Sequence, residues 1–231
     1  MLPRMNQQET VGNNLANVNT TGFKSDDRFF QTELNSSIIQ SGQFGELQEF
    51  SEEQVSLRTN FNQGSLAETR NPLDVALNGD GFFAIETGET TSYTRNGNFM
   101  VNSEGELVNS RNYKVLGENG PITVTGKKVI ISGDGSFIVD GEIVGKLKIV
   151  DFEEPYDLRR NGFGYFIPTE KTEEVDPEEL SIKQGFLENS NVDPISEMVK
   201  MIELNRNYES CQKAIHAQDS SLQQAVNQIA G

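Results

Sequence analysis

The residue types that build disulfide frameworks, many catalytic centres and membrane spans are scarce in this chain of 231 residues. Cys211 is the only cysteine, so the chain cannot form an internal disulfide. His216 is the only histidine, which excludes catalytic sites such as Ser-His-Asp or Cys-His in which a second histidine is available. No stretch approaches the roughly 20 consecutive apolar residues of a membrane-spanning helix. The sequence therefore predicts neither a disulfide scaffold nor membrane insertion.

Basic side chains are also few, since 19 lysines and arginines stand against 35 aspartates and glutamates, for a net charge of −16. Nucleic acids and anionic membrane surfaces would repel such a chain, so neither is a predicted partner. The first residues lack the basic region, apolar core and small-residue cleavage site of a secretory signal peptide. Taken alone, these features favour the cytoplasm.

No combination of residues predicts an enzyme, a cofactor or a metal site. The glycine-rich turns lack the lysine of a phosphate-binding loop, and no G-x-G-x-x-G pattern follows a strand. The stretch from Asp134 to Asp140 lacks the spacing and the terminal glutamate of an EF-hand. Cys211 occupies an apolar position of a predicted helix, which favours a small buried role over a reactive thiol. We therefore expect no catalytic residues.

Short apolar runs alternate with turn sequences in residues 71–170, and this pattern predicts an antiparallel β domain. Asn96-Gly97 lies between two such runs and predicts a hairpin at that point. The flanking segments 25–70 and 171–190 are more polar, and we expect them to form an extended connector with some strand. The acidic stretch 170–179 predicts a solvated loop.

The strongest periodic signal predicts a helix over residues 194–229, with Asp193 as its N-terminal cap. Its apolar positions alternate by three and four residues, which is the spacing of a coiled-coil seam with one polar member. The seam consists of Met201, Leu204, Tyr208, Cys211, Ile215, Gln218, Leu222, Ala225 and Ile229. Ile195, Met198, Val199 and Ile202 are expected to widen this apolar face. A helix of about 54 Å needs partner helices, and the short N-terminal segment cannot cover it, so we expect partners in other subunits.

Residues 13–24, N-N-L-A-N-V-N-T-T-G-F-K, place four asparagines in seven positions at the end of a short apolar-periodic segment. Asparagine is a weak helix former, and Thr20, Thr21 and Gly22 are stop signals, so a short helix is predicted to end here. Gly22 can take the left-handed conformation that helix ends often need. The amides have two interpretations. They supply turn chemistry at a helix end, or they form an assembly surface that donates and accepts hydrogen bonds across a subunit boundary.

Four stretches of the sequence resemble bacterial flagellar axial proteins, which are the rod, hook and hook-associated subunits. The stretches are residues 13–24, 73–83 (L-D-V-A-L-N-G-D-G-F-F), 93–99 (Y-T-R-N-G-N-F) and 184–192 (Q-G-F-L-E-N-S-N-V). The resemblance implies a structural subunit of the basal-body rod, a helically stacked tube that transmits motor torque to the hook. It also implies export through the flagellar type III apparatus without a cleaved signal peptide, and therefore a place in the periplasmic rod.

The resemblance further implies that the terminal helices line the inside of the tube. There they would contact other copies and other rod or hook subunits. The interface expected from the resemblance and the helix pattern comprises Asn13, Asn14, Leu15, Asn17, Phe23, Met201, Leu204, Tyr208, Cys211, Ile215, Leu222, Ala225 and Ile229.

Within the family, the compact central domain and modest length resemble proximal rod subunits most, then distal rod subunits, then small hook-type subunits. Family members usually carry a few more helical turns before the position that matches Met1. Either the assigned start is wrong, the chain has been trimmed, or this member is shorter. An alternative from another class is a secreted β-rich binding module with a coiled-coil oligomerisation tail, which a soluble trimer or tetramer would favour.

The predicted fold class is α+β. A discontinuous terminal module of coiled-coil-like N- and C-terminal helices holds an inserted antiparallel all-β domain. We predict that residues 1–24 and 191–231 form the helical assembly module, that 25–70 and 171–190 form the connector, and that 71–170 form the β domain.

Overall fold

The computed structural model describes residues 2–31, 54–88, 90–162, 164–169, 172–177 and 181–229. The described helices are α1 (Leu2–Ala16) and α2 (Pro194–Ile229). The described strands are β1 (Asp26–Gln31), β2 (Gln54–Thr59), β3 (Leu66–Glu68), β4 (Val75–Asn78), β5 (Phe82–Thr87), β6 (Thr90–Thr94), β7 (Phe99–Val101), β8 (Leu107–Asn109), β9 (Lys114–Gly117), β10 (Gly120–Pro121), β11 (Val129–Ile131), β12 (Ser136–Val139), β13 (Glu142–Lys146), β14 (Ile149–Phe152), β15 (Leu158–Arg160), β16 (Phe166–Pro168), β17 (Glu174–Val175), β18 (Ser181–Gln184) and β19 (Phe186–Glu188). The strands pair antiparallel, so the fold is α+β and mostly β, as predicted.

The chain divides into two compact units. The first unit contains α1, the antiparallel pair β1–β2 and α2, from residues 1–16, 26–60 and 193–231. Asp193 caps α2 as predicted, because its Oδ1 accepts a hydrogen bond of 3.1 Å from the amide of Ile195. Pro194 suits the first helical position, where no backbone amide partner is needed. Part of the predicted connector, residues 32–53, lies outside the described residues.

The second unit contains residues 17–25 and 61–192. Its main sheet has the strand order β15-β16-β6-β5-β9-β8-β7, with β10 beside β9 and with β14 joining β5 to β17. Smaller sheets are formed by β11-β12-β13, by β4 with β18 and by β3 with β19. The predicted boundaries at 71 and 170 lie inside this unit, and the assignment of the terminal segments to one assembly module stays a prediction.

Strand β5 contributes to two apolar cores because successive side chains on a strand point to opposite faces. Phe83 lies in the larger core with residues such as Phe99 and Phe137. Phe82 lies in a second, aromatic core with Phe166. The sequence stretch 73–83 therefore contributes to both apolar cores of the second unit, here called the β unit.

Two Asp-Gly pairs within residues 71–170 form turns, in line with the predicted alternation of strands and turns, but the hairpin predicted at Asn96-Gly97 is wrong. Asp134-Gly135 joins β11 to β12, and Asp140-Gly141 joins β12 to β13 with positive φ at both turn residues. At Asn96-Gly97 the neighbouring strands find other partners, since β6 pairs with β5 and β16, while β7 pairs with β8. Gly97 is instead crossed closely by β4, because a Cβ there would lie 1.7 Å from the carbonyl oxygen of Val75.

The acidic loop predicted at 170–179 is confirmed in part among the described residues, because residues 173–176 are exposed, but residues 174 and 175 form strand β17. Glu174 lies in β17, opposite Phe152 of β14. Its carboxylate accepts hydrogen bonds from the Tyr93 hydroxyl and, at 2.8 Å, from Lys148 Nζ. Residues 170, 171, 178 and 179 of this stretch lie outside the described residues.

Candidate assembly surface

In the first unit, α1 packs on the N-terminal part of α2. Val11 is buried on α1. Gly12 lies beside Met201, since a Cβ at position 12 would make an ordinary contact of 3.8 Å with Met201 Cε. One turn earlier, Gln8 Nε2 donates a hydrogen bond of 3.3 Å to Asn205 Oδ1. The side of α2 that carries Met201 is therefore the side that α1 covers.

Asn14 is a buried amide that connects three elements of the first unit. Its Nδ2 donates to the carbonyl oxygen of Asp26 at 2.9 Å and to Glu197 Oε2 at 3.3 Å. Its Oδ1 accepts from the amide of Asp26 at 3.0 Å. A carboxylate could not donate these bonds, so the position needs a side-chain amide. For Asn14, partners within the chain account for the asparagine, and a contact with another subunit stays a prediction.

In the second unit, residues 17–25 lie along the strand segment that precedes α2. Gly22 adopts the predicted left-handed conformation, with φ of 67°, and its amide donates to the carbonyl of Glu188 at 2.7 Å. Gly22 lies six residues after the last residue of α1. A Cβ at Gly22 would lie 2.5 Å from the backbone carbon of Arg95, so only glycine fits. Phe23 is buried beneath the guanidinium of Arg160, 4.8 Å from the ring centre.

A buried charge cluster fixes this segment. Lys24 Nζ donates to Glu188 Oε1 at 2.7 Å and to the carbonyl of Asn62 at 2.8 Å. Arg95 Nη1 lies 3.6 Å from Glu188 Oε2 and donates to the carbonyl of Gly79 at 2.7 Å. The three charged side chains are at most 1% exposed. Burial lowers the pKa of Lys24, the negative charge of Glu188 opposes this shift and the charge of Arg95 adds to it. The cluster thus holds two buried cations on one buried anion.

The predicted interface residues divide into four groups. Asn14 and Phe23 are buried within the chain. Leu15, Asn17, Met201, Leu204 and Cys211 are partly buried, and Asn13 is exposed. Tyr208 and Ile215 are 41% and 43% exposed. Leu222, Ala225 and Ile229 belong to α2, but their side chains lie outside the described ones.

Four apolar residues of α2 are wrongly predicted to widen the seam. Ile195, Met198, Val199 and Ile202, here called the α2 stripe, are 73%, 51%, 49% and 52% exposed. At about 100° per residue, the stripe points roughly 150° away from the seam. The two apolar faces are therefore separate, and α1 contacts the seam side at Met201.

The sequence did not predict the roles of Lys24, Arg95 and Glu188, although each lies in one of the stretches that resemble the family. No local pattern in these stretches shows that the three charged side chains meet. Among the described residues, no group of three or more histidine, cysteine, aspartate or glutamate side chains could hold a metal ion. No helix in the described part of the chain is long and apolar enough to cross a membrane.

Three family models match separate parts of the chain. A model described as "Flagella basal body rod protein" matches residues 4–24, which include most of α1 and the asparagine-rich stretch. "Flagellar hook protein FlgE/F/G D1 domain" matches residues 76–140 of the β unit. "Flagellar basal body rod FlgEFG protein C-terminal" matches residues 183–229, which include β19 and α2.

Curated relatives match along nearly the whole chain. "Flagellar basal-body rod protein FlgF" of Mesorhizobium japonicum is 31% identical over 227 residues, covering 96% of this chain and 90% of the relative. "Flagellar basal-body rod protein FlgG" of Bacillus subtilis is 32% identical, covering 95% and 92%. The FlgF protein of Caulobacter vibrioides is 34% identical, covering 89% and 84%. Relatives of both names match at similar identity, so identity does not distinguish the two.

Proposed function

The chain belongs to the family of flagellar basal-body rod proteins, and from this premise we propose how a structural subunit of the rod assembles. Copies of the chain join one another and other axial subunits through α1 and α2. The assembly is a helical tube that carries motor torque to the hook. The proposal assigns no catalytic activity to the chain.

The observation that supports this proposal is the difference in length between the terminal helices. α1 has 15 residues and α2 has 36, so α1 spans about 22 Å and α2 about 54 Å. On the seam, Tyr208 is 41% and Ile215 43% exposed, and Ile215 lies beyond the stretch of α2 that the 15 residues of α1 can cover. An apolar helix face of this kind is stable in water only when another surface covers it. We propose that helices of neighbouring subunits cover it in a coiled-coil-like arrangement.

The β unit has a feature suited to bearing load. The segment that follows α1 and the segment that precedes α2 are bonded to each other within this unit, from Gly22 to Glu188 and from Asn191 to Phe23. The pair Lys24 and Glu188 adds a buried ion pair between the same segments. Force applied to either terminal helix is thus delivered to a point where both chain segments are fixed.

Location and partners follow from the same proposal. We infer export through the flagellar type III apparatus without a cleaved signal peptide, and residence in the periplasmic part of the basal body. Whether the subunit is proximal, distal or hook-type stays a prediction, with the proximal rod favoured.

Electron cryotomography of cells that lack the gene tests the proposal. We expect basal bodies that keep their membrane ring but have a missing or stunted rod, and the point where the rod stops distinguishes a proximal from a distal subunit. Complete flagella of normal length would contradict the proposal and favour the secreted binding module.

Complementation tests the role of the seam. In the same strain, Ile215→Asp should fail to restore the rod, because it places a charge on the proposed helix contact. The matched control Gln212→Asp changes an exposed polar position one turn away and should restore it. Equal rescue by both variants would exclude the seam as the contact.

Amide exchange examines the state of the free subunit. We expect the part of α2 beyond α1 to exchange rapidly in the monomer and slowly in the assembly, because a helix without tertiary contacts is marginal in water. Strong protection along the whole of α2 in the monomer would contradict assembly-coupled ordering.

A further inference from the structure

We propose that Asn161 is a site of spontaneous deamidation in the folded protein, and that it reacts before the other asparagines that precede a glycine. The sequence contains four Asn-Gly pairs, which begin at Asn78, Asn96, Asn119 and Asn161. A glycine has no side chain to hinder the attack of its backbone nitrogen on the preceding asparagine, so these pairs are the candidates. The inference goes beyond the proposed function and does not depend on it.

The reaction forms a cyclic imide and releases ammonia. The backbone nitrogen of Gly162 bonds to Cγ of Asn161, while the bond between Cγ and the side-chain nitrogen breaks. The proton of the Gly162 amide leaves with that nitrogen as ammonia. Water then opens the imide at either of its carbonyl carbons, which gives aspartate or isoaspartate. Water is the only co-reactant, and no atom is oxidised or reduced.

The fold restrains the pair at Asn78. Asn78 is the last residue of β4 and pairs with Ser181 of β18, so strand pairing holds its backbone. The amide of Gly79, which would be the attacking group, donates a hydrogen bond of 3.2 Å to Gln63 Oε1. Both restraints must be broken before the imide can form, so we expect this pair to react slowly.

The pairs at Asn96 and Asn119 are restrained in other ways. Asn96 Oδ1 accepts a hydrogen bond of 3.0 Å from the amide of Asn98, and Gly97 is buried. Asn119 is exposed, but Gly120 lies in β10 and is paired with β9. Rotation of these backbones towards the imide geometry requires local opening of the β unit, which lowers the rate.

The pair at Asn161 is open. Asn161 and Gly162 are both exposed and lie between β15 and β16, and no described atom comes within 4 Å of a Cβ placed at Gly162. Tyr165 is bonded to the Asn161 amide at 2.8 Å and to the Gly162 carbonyl at 3.0 Å. Among the described residues, no hydrogen bond engages the two groups that react, the Asn161 side chain and the Gly162 amide. The reaction therefore needs no opening of a strand or of the core.

Peptide mapping of the full-length chain after incubation in mildly alkaline buffer tests the site. Trypsin cleaves after lysine and arginine, so Asn161 falls in the peptide 161–171 and Asn119 in the peptide 115–127, each without another asparagine. Mass spectrometry should show conversion of Asn161 at a rate about tenfold or more above that of Asn119. Fragmentation of the peptides 71–95 and 96–111 should show similarly slow conversion of Asn78 and Asn96.

The same chain unfolded in guanidinium chloride is the matched control. There the four pairs should react at comparable rates, and Asn161 should react about as fast as it does in the folded chain. Equal rates for Asn161 and Asn119 in the folded chain would overturn the proposal. Slowing of Asn161 by about tenfold or more on folding would also overturn it, because it would show that the loop is restrained.

Two variants complete the test. Gly162→Ala should slow the conversion of Asn161, because a Cβ hinders the attacking nitrogen, and an unchanged rate would contradict the mechanism. Asn161→Asp carries one of the two products and should shift the urea midpoint of the β unit by less than about 0.5 M, because the position is exposed. A larger fall would contradict deamidation of a chain that stays folded.

Discussion

Substituting Glu188 by glutamine should strongly destabilise the β unit, although it changes only one charge. Glu188 is the single buried carboxylate between Lys24 and Arg95, with distances of 2.7 Å and 3.6 Å to their nearest nitrogens. Glutamine would keep the volume but leave two positive charges buried together. Asp80, the other acidic group near Arg95, is 3.9 Å away and 74% exposed, so it compensates little.

The structure sets the size of the expected effect. Breaking a buried ion pair by removing one partner costs about 3–5 kcal/mol, because the remaining charge has lost its water and its counter-charge. With a denaturant slope of about 2 kcal/mol per molar urea, the unfolding midpoint should fall by roughly 2 M. Lys24→Met should cost less than Glu188→Gln, because it leaves one buried anion facing one buried cation.

Tyrosine fluorescence in a urea titration measures this effect, since four of the five tyrosines lie in the second unit. Glu68→Gln is the matched control. Glu68 forms an ion pair of 3.2 Å with Arg70 in the same unit, but the two side chains are 53% and 84% exposed. Exposed pairs of this kind contribute less than about 1 kcal/mol. Equal midpoints for Glu188→Gln and Glu68→Gln, or a larger loss for Lys24→Met, would refute the reasoning.

Three further predictions concern other positions. Gly22→Ala should destabilise the β unit more than Gly88→Ala, because both glycines have positive φ but only the Cβ at Gly22 would meet backbone, at 2.5 Å, while no described atom lies within 4 Å of a Cβ at Gly88; equal urea midpoints would contradict this. Gly12→Ala should stabilise α1 by about 0.5–1 kcal/mol, since alanine favours helix and its Cβ would make an ordinary contact of 3.8 Å with Met201; thermal unfolding followed at 222 nm measures the change, and a loss of stability would exclude it. Partial burial raises the pKa of Glu174, but hydrogen bonds from Lys148 and Tyr93 outweigh it and lower this pKa from its ordinary value of 4.5. The stability that ionised Glu174 contributes is therefore present above pH 4.5 and is lost as the pH falls through the folded-state pKa. Glu174→Gln should flatten the acid side of the plot of unfolding free energy against pH, and an unchanged plot would show that the Lys148–Glu174 pair is not formed.

Local chemistry made several features predictable. The start of α2 follows from the cap Asp193 and from Pro194, which act within one helical turn. The turns at Asp134-Gly135 and Asp140-Gly141 follow from residues that accept positive φ. Asn96-Gly97 carries the same kind of signal, yet no hairpin forms there, because strand pairing depends on which distant strands compete for the same edge.

The candidate assembly surface also combines features that follow from local geometry with features that only tertiary packing decides. The two apolar faces of α2 can be separated by helical geometry alone, at about 100° per residue. Which face is covered within the chain depends on where α1 packs, and that is a tertiary property. Asn14 is similar, since its amide suits a subunit boundary or an internal bridge equally well. Only the positions of Asp26 and Glu197 decide that it bridges elements of its own chain.

The family, the α+β class and the long C-terminal helix could be predicted, because motifs, turn residues and helical periodicity are local patterns. Tertiary structure alone decided the strand order, the exposure of the α2 stripe and the meeting of Lys24, Arg95 and Glu188. Lys24 and Glu188 are 164 positions apart in the chain. Their attraction is strong only after folding has removed the water around both charges, and no local pattern records that event.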